Sequence, residues 1–229
     1  MDKMSLFSIM TVSVPEAVLN IYIAFVLTGQ RSKLYLDDKL NVIRLLTSVV
    51  LMVVTAVTTR AFLPNLLFVL IANIIIIIFI FKLVYNLTWF HSSISVLVFF
   101  GVLITVESVY AFQFMALANK YFSNYSPDIL RLITTIPERI IQIFLIISFW
   151  KWDLVYLNIR NNKKLLRSFV FFVLILLFNE AIFSYTFFNY FDTLSFIFKI
   201  LGSVGCFAFG LINFLICNIV TNLYKDLNH

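Results

Sequence analysis

Apolar residues in this chain come in long runs, without the period-two alternation of a half-buried strand, and short polar connections carrying charge, Pro, Asn or Asp separate them. Crossing a bilayer takes about 20 mostly apolar residues, and lipid permits only structures that pair every backbone group internally. Seven runs meet that length, near Leu6–Thr28, Val42–Phe62, Asn65–Val84, Ser92–Leu117, Leu130–Trp150, Leu166–Phe188 and Leu194–Thr221. The pattern predicts an all-α membrane protein of seven transmembrane helices in a single domain, residues 1–229. The first run is too long for a signal-peptide core and contains Glu16, so it is read as a span.

Composition agrees. The chain is 62% hydrophobic and only 12% charged, about half the charged fraction of a soluble globule. Lys and Arg exceed Asp and Glu, 17 against 11. Where that excess sits depends on orientation, because Lys and Arg in short loops are retained in the cytoplasm. With the N-terminus outside, Arg31, Lys33, Lys39, Arg44, Lys82, Lys151, Arg160, Lys163, Lys164, Arg167 and Lys225 lie at inner ends, against Lys3, Arg60, Lys120 and Arg131 at outer ends. The basic charge is thus an inner collar facing anionic lipid headgroups, with Trp150, Trp152 and Tyr156 as interfacial anchors, and no nucleic-acid partner is implied.

The sequence repeats itself. Ser13 to Tyr22 reads SVPEAVLNIY and Thr135 to Phe144 reads TIPERIIQIF; nine of the ten positions match in identity or chemistry, the exception being Ala17 against Arg139. Each copy leads into a basic loop and a span opening with Arg, at Arg44 and Arg167. The plan is 3+1+3: repeat one about 6–84, a connecting helix about 92–117, and repeat two about 130–221. The odd connector makes the repeats parallel, with the C-terminus inside. Pro15 and Pro137 each lie well inside a span, so a kink is expected at both, with Glu16 and Glu138 beside them and Asn20 and Gln142 one turn onward.

Ionisable groups inside a span are costly and mark candidate sites. Here they are Glu16, Glu107, Glu138, Arg139, Glu180 and Lys199, all placed by residue count between the outer interface and roughly the midplane. With Asn20 and Gln142 they form the candidate ligand-binding set, in a polar cavity open to the outside with Tyr110, Phe112, Phe114, Tyr185 and Phe187 at its mouth. Mutual neutralisation between helices is the alternative role for the same charges. Gly202, Gly205 and Gly210 are expected to permit close helix packing, and Cys206 and Cys217, about three helical turns apart, to serve as packing residues rather than a disulfide. His91 and His229 are the only histidines, and no metal-ligand spacing, phosphate loop or dinucleotide fingerprint occurs, so neither an enzyme nor a cofactor is expected.

The paired motifs Val14-Pro15-Glu16 and Ile136-Pro137-Glu138, in a Phe- and Ile-rich bundle, resemble the N-terminal membrane sensor domains of quorum-sensing histidine kinases of the accessory-gene-regulator type in low-GC Gram-positive bacteria. The resemblance implies a plasma-membrane module for signal transduction that receives an extracellular peptide. In that family a cytoplasmic kinase follows; this sequence stops at His229 and looks like the sensor domain without its kinase, whether lost, cut away or supplied by another chain, so a cytoplasmic kinase or a homodimer is the expected partner. The 3+1+3 plan also resembles the SWEET and PQ-loop carriers, which implies small-solute transport, although the pair here is Pro-Glu in the outer half of the helix. A passive immunity or scaffold protein is the third reading.

Overall fold

The computed structural model describes residues 5–63, 66–103, 121–122, 125–153 and 193–226. Helices dominate these residues and no strand occurs among them. In chain order they are α1 (Leu6–Leu27), α2 (Lys39–Phe62), α3 (Leu66–Val84), α4 (Trp89–Leu103), α5 (Pro127–Lys151) and α6 (Phe196–Asp226). Four stretches, Leu6–Leu27, Lys39–Phe62, Pro127–Lys151 and Phe196–Asn213, are long and apolar enough to cross a membrane. Shorter apolar helices cover Phe68–Val84 and Trp89–Leu103, and the expected sixth span, Leu166–Phe188, lies outside the described residues.

Burial is arranged for lipid. Large apolar side chains point outward along α2 (Ile43, Leu46, Val50, Val54), α5 (Ile136, Ile140, Ile143, Ile147) and α6 (Ile197, Leu201, Val204, Leu211). Ser8, Ser13, Asn20, Thr28, Ser48, Thr55, Thr59, Ser95, Glu138 and Gln142 are buried. Water would reverse that distribution, because exposed apolar area and buried polar groups are both unfavourable there. In hydrocarbon the outward apolar faces lose nothing, and polar groups must find one another inside the bundle. The chain is a membrane protein by this criterion.

Helix α1 is the centre of the described bundle. It packs against α2 on one side and α5 on another, and Ile21, Ile23, Ala24, Phe25 and Val26 are almost fully buried. A helix buried on every side needs apolar residues all round, which VLNIYIAFVL nearly supplies. Phe25 stacks on Phe81 of α3 at 4.9 Å and meets Tyr85 edge-on at 4.6 Å, an aromatic knot that joins the first helix to the third. Burial pushes the Tyr85 hydroxyl up to about 12, a rise opposed by the Ser48 hydroxyl of α2, so the phenol is neutral at any physiological pH. Thr59 of α2 donates to Asn73 Oδ1 of α3 at 2.9 Å near the other end of the pair.

The two prolines are accommodated differently, where the sequence predicts equal kinks. Ahead of Pro15 the helix widens into a π-turn, Ile9–Ser13, in which the Val14 N–H reaches the Ile9 carbonyl. The hydrogen-bond ladder is re-phased there, so Pro15 enters at the first turn of the following α segment, Val14–Leu27, where its missing donor is not needed. Pro137 lies inside α5 with no change of helix type around it. The hydroxyls of Thr134 and Thr135 bond back to the Arg131 and Leu132 carbonyls at 3.0 Å each, turning side-chain donors onto backbone acceptors just before the proline.

Helix ends carry specific closures. After Leu27 the Gly29 N–H bonds the Val26 carbonyl at 3.3 Å and the Gln30 N–H bonds the Phe25 carbonyl at 2.8 Å. That pair of bonds requires a left-handed residue between them, and Gly29 supplies it with φ 70°. Asn86 plays the same part after α3 with φ 53°, placing the Leu87 N–H on the Lys82 carbonyl at 3.1 Å. The Asp38 carboxylate caps α2 by accepting from the Leu40 N–H at 2.9 Å, and Asn41 Nδ2 ties down the preceding loop through the Ser32 and Tyr35 carbonyls.

Of the three glycines expected to permit close packing, Gly205 does not. A Cβ built there meets nothing within 4 Å among the described residues. Cys206 is buried, in keeping with a packing role, and the Cys217 side chain lies outside the described residues.

Candidate functional site

Helices α1 and α5 lie side by side and run the same way, because residues later in α1 meet residues later in α5: Glu16 faces Arg139, Asn20 faces Gln142, and Arg31, just past α1, reaches Phe149 and Asp153. Along this seam the repeat motif assembles a polar ladder. Arg139 Nη2 donates to Glu16 Oε2 at 3.1 Å, and its Nη1 donates to Gln142 Oε1 at 2.9 Å and to Glu138 Oε1 at 3.4 Å. Gln142 Nε2 in turn donates to Glu138 Oε1 at 2.7 Å and to Asn20 Oδ1 at 3.4 Å.

This order follows from donor chemistry. A guanidinium only donates and a carboxylate only accepts, so the one amide between them must turn its oxygen to Arg139 and its nitrogen to Glu138. Two carboxylates share one cation. That cation stands at the single dissimilar position of the repeat: where the first copy has Ala17, the second has Arg139, and it serves the glutamates of both copies. Asymmetry between otherwise matching motifs is what supplies the seam's counter-charge.

Depth sharpens the picture. Glu16 is the eleventh of 22 residues in α1 and Arg139 the thirteenth of 25 in α5, so the ladder lies at the middle of both helices, the deeper limit of the expected range. Burial is graded. The Glu138 side chain is 6% exposed and Arg139 14%, while Glu16 is 37% exposed. Asn20 and Gln142 are buried. An ionised carboxylate open to hydrocarbon is prohibitively unfavourable, which makes the partly open Glu16 the most costly member of the ladder to leave without a polar neighbour.

A second contact closes the same seam about 15 Å further along α5, at about 1.5 Å per residue from Arg139 to Phe149. Arg31 Nη1 pairs with the Asp153 carboxylate, and Nη2 donates to the Phe149 carbonyl at 2.8 Å. Phe149 is in the last turn of α5, so the guanidinium donates to a carbonyl at the helix end and sits at the negative end of the helix dipole. Its carbon lies 6.0 Å from the Trp150 ring. Asp153 adopts φ 52°, and Asn and Asp are among the few residues that tolerate that conformation.

A third polar group, hidden from sequence patterning, joins α1 to α4. Gln30 Nε2 donates to Ser95 Oγ at 2.9 Å and to Thr28 Oγ1 at 3.2 Å, and the Thr28 hydroxyl bonds the Ala24 carbonyl at 2.6 Å. These side chains satisfy one another within the bundle.

Of the eight expected site residues, the structure brings together Glu16, Asn20, Glu138, Arg139 and Gln142. Lys199 stands in the first turn of α6, within snorkelling reach of that helix's end, and enters none of the ladder bonds among the described residues. Glu107 and Glu180 lie outside the described residues, as do the aromatic residues Tyr110, Phe112, Phe114, Tyr185 and Phe187 expected at the mouth. Arg31–Asp153 was missed because both residues read as ordinary loop charges; their 122-residue separation, equal to the repeat offset, was the available signal. No group of three or more His, Cys, Asp or Glu among the described residues could hold a metal ion. No protein-family model, no curated protein and no solved structure matches the chain.

Proposed function

We propose that this chain is a membrane sensor, a receptor-like module that takes an extracellular signal, a peptide, at the Glu16–Arg139 ladder. The observation that carries the reading is the grading of burial along the ladder: Glu16 is open on one side while its partners are buried. A cationic group on the ligand, such as a peptide amine, would compete with Arg139 for the Glu16 carboxylate. Displacing that bond would loosen α1 from α5 and change the inner end of the seam, where Arg31 clasps the end of α5. The module then needs a cytoplasmic partner, a kinase or a second copy, to pass the change on, as the resemblance to quorum-sensing sensor domains implies. The test is a thermal-shift screen of the protein in lipid nanodiscs against a synthetic library of short linear and cyclic peptides. A peptide that stabilises the wild type and loses its effect on Glu16→Gln supports the proposal; stabilisation that survives Glu16→Gln contradicts it.

Small-solute transport is the second reading, and one observation favours it. Ion pairs close the α1/α5 seam at the middle and at one end, and the pairs Asn20–Gln142 and Arg31–Asp153 each join positions 122 residues apart. Equivalent residues meeting in this way are what a parallel two-fold repeat produces, and carriers place their sites at the midplane between such repeats. Solute counterflow in proteoliposomes, abolished by Arg139→Gln, would favour this reading over the sensor.

A further inference from the structure

Beside the Arg31 clasp an open groove of about 520 Å³ lies between α5 and the loop after α1, with Tyr22 of α1 at its inner end. Its walls are apolar, formed by Leu34 and Leu36 from the loop after α1 and by Ile146 and Ile147 from α5. Tyr35 and Trp150 stand at its edge with ring centroids 6.2 Å apart, edge to face, and Lys151 closes the rim. We propose that this cavity is a binding site for one anionic phospholipid, an acyl chain lying against the isoleucines and the phosphate at Lys151.

Three features lead to that occupant. The first is depth: Lys151 ends α5, and Ile146 and Ile147 lie one turn inward, so the apolar walls are at acyl-chain level and the ammonium at headgroup level. The second is lining. Water in an apolar recess lacks the two to four polar partners that hold it, whereas hydrocarbon fills such a space without loss. The third is charge. Arg31, Lys33, Lys39 and Lys151 stand against Asp37, Asp38 and Asp153 at this end of the seam, an excess of one basic charge, and with Arg31 paired to Asp153 it is Lys151 that borders the groove. A phosphodiester with a net negative headgroup complements that balance better than a zwitterion does. Trp150 and Tyr35 suit the same level, because amphipathic rings settle at the headgroup boundary.

Trp150 supplies the probe. With Trp89 and Trp152 replaced by Phe, the fluorescence of Trp150 is followed in phosphatidylcholine vesicles to which brominated phosphatidylglycerol or brominated phosphatidylcholine is added at equal mole fraction. The expected result is an apparent affinity about fivefold higher for the phosphatidylglycerol, the preference one basic residue supplies near a membrane surface. Lys151→Gln should remove the preference while general quenching persists, and Ile147→Phe, which narrows the recess, should lower quenching by both lipids. Equal quenching of the wild type by both lipids, or a preference unchanged in Lys151→Gln, overturns the proposal. Lys151 is exposed, and retention of wild-type quenching by the phosphatidylcholine confirms that the variant has kept its fold.

Discussion

Asn20 and Gln142 occupy equivalent positions in the two copies of the Pro-Glu motif, 122 residues apart, and they are hydrogen-bonded to each other at 3.4 Å. Together with Arg31–Asp153, a second contact between positions 122 residues apart, this bond shows two helices that run the same way with the repeated faces turned inward. The polar face shared by both copies then becomes the helix interface. In lipid this placement is nearly forced, because a carboxylate and an amide one turn apart have nowhere else to be satisfied.

Arg139 is the one cation in the ladder among the described residues, and the ladder's stability depends on it. Arg139→Gln leaves Glu138 buried without its guanidinium and should destabilise the bundle by about 3–5 kcal/mol. For a chain of this size that lowers the melting temperature by roughly 6–20 °C. Adding Glu138→Gln should recover much of the loss, since a neutral amide no longer needs the cation. Thermal melts of the single and double variants in the same detergent check both points.

At the clasp the partners should differ in effect. Asp153 is 89% exposed, so Asp153→Asn should cost under about 1 kcal/mol. Arg31→Ala should cost more, because it also uncovers the Phe149 carbonyl and removes the cation beside Trp150. A melting curve that falls further for Asp153→Asn than for Arg31→Ala would contradict this order.

Two glycines give opposite expectations. Gly29 has φ 70°, so Gly29→Ala should destabilise by about 1 kcal/mol through forced left-handed backbone. Gly205 is helical with open space where a Cβ would go, so Gly205→Ala should be neutral or stabilise by up to about 1 kcal/mol. Chemical-denaturation midpoints of the two variants separate these cases.

The ladder was legible in the sequence because two constraints coincide there: intramembrane charge is rare, and the motif carrying it occurs twice. Those constraints named Glu16, Asn20, Glu138, Arg139 and Gln142, along with Glu107, Glu180 and Lys199, but did not show that Arg139 at the mismatched position would bridge both glutamates. The π-turn before Pro15 was not legible, because a proline fixes only that a donor is missing and leaves the chain several ways to re-phase the ladder. Gly205 misled for a related reason: glycine in an apolar helix signals close approach only if another helix is there. The Gln30–Thr28–Ser95 group was invisible because hydroxyls and amides near helix ends are common, and nothing local tells a loop-facing one from one turned into the bundle.

Orientation is testable without a ligand. Single cysteines at Ser32 and Asn161, the loops that follow the two copies of the motif, should both be protected from impermeant maleimides in intact cells and label after permeabilisation, as loop charge predicts. Labelling of either from outside would reverse or break the proposed parallel arrangement.

The most direct measurement pairs stability with binding in Glu16→Gln and Glu138→Gln. The probes are the wild-type protein in nanodiscs and whichever synthetic peptide the screen shows to stabilise it. Because Glu16 is the open member and an amide still fits there, the sensor account predicts that Glu16→Gln melts within a few degrees of wild type yet binds that peptide at least about tenfold more weakly. The buried Glu138→Gln should lose stability as well. Unchanged peptide affinity in Glu16→Gln together with a large fall in its melting temperature would contradict the account and leave the ladder as a structural tie between α1 and α5.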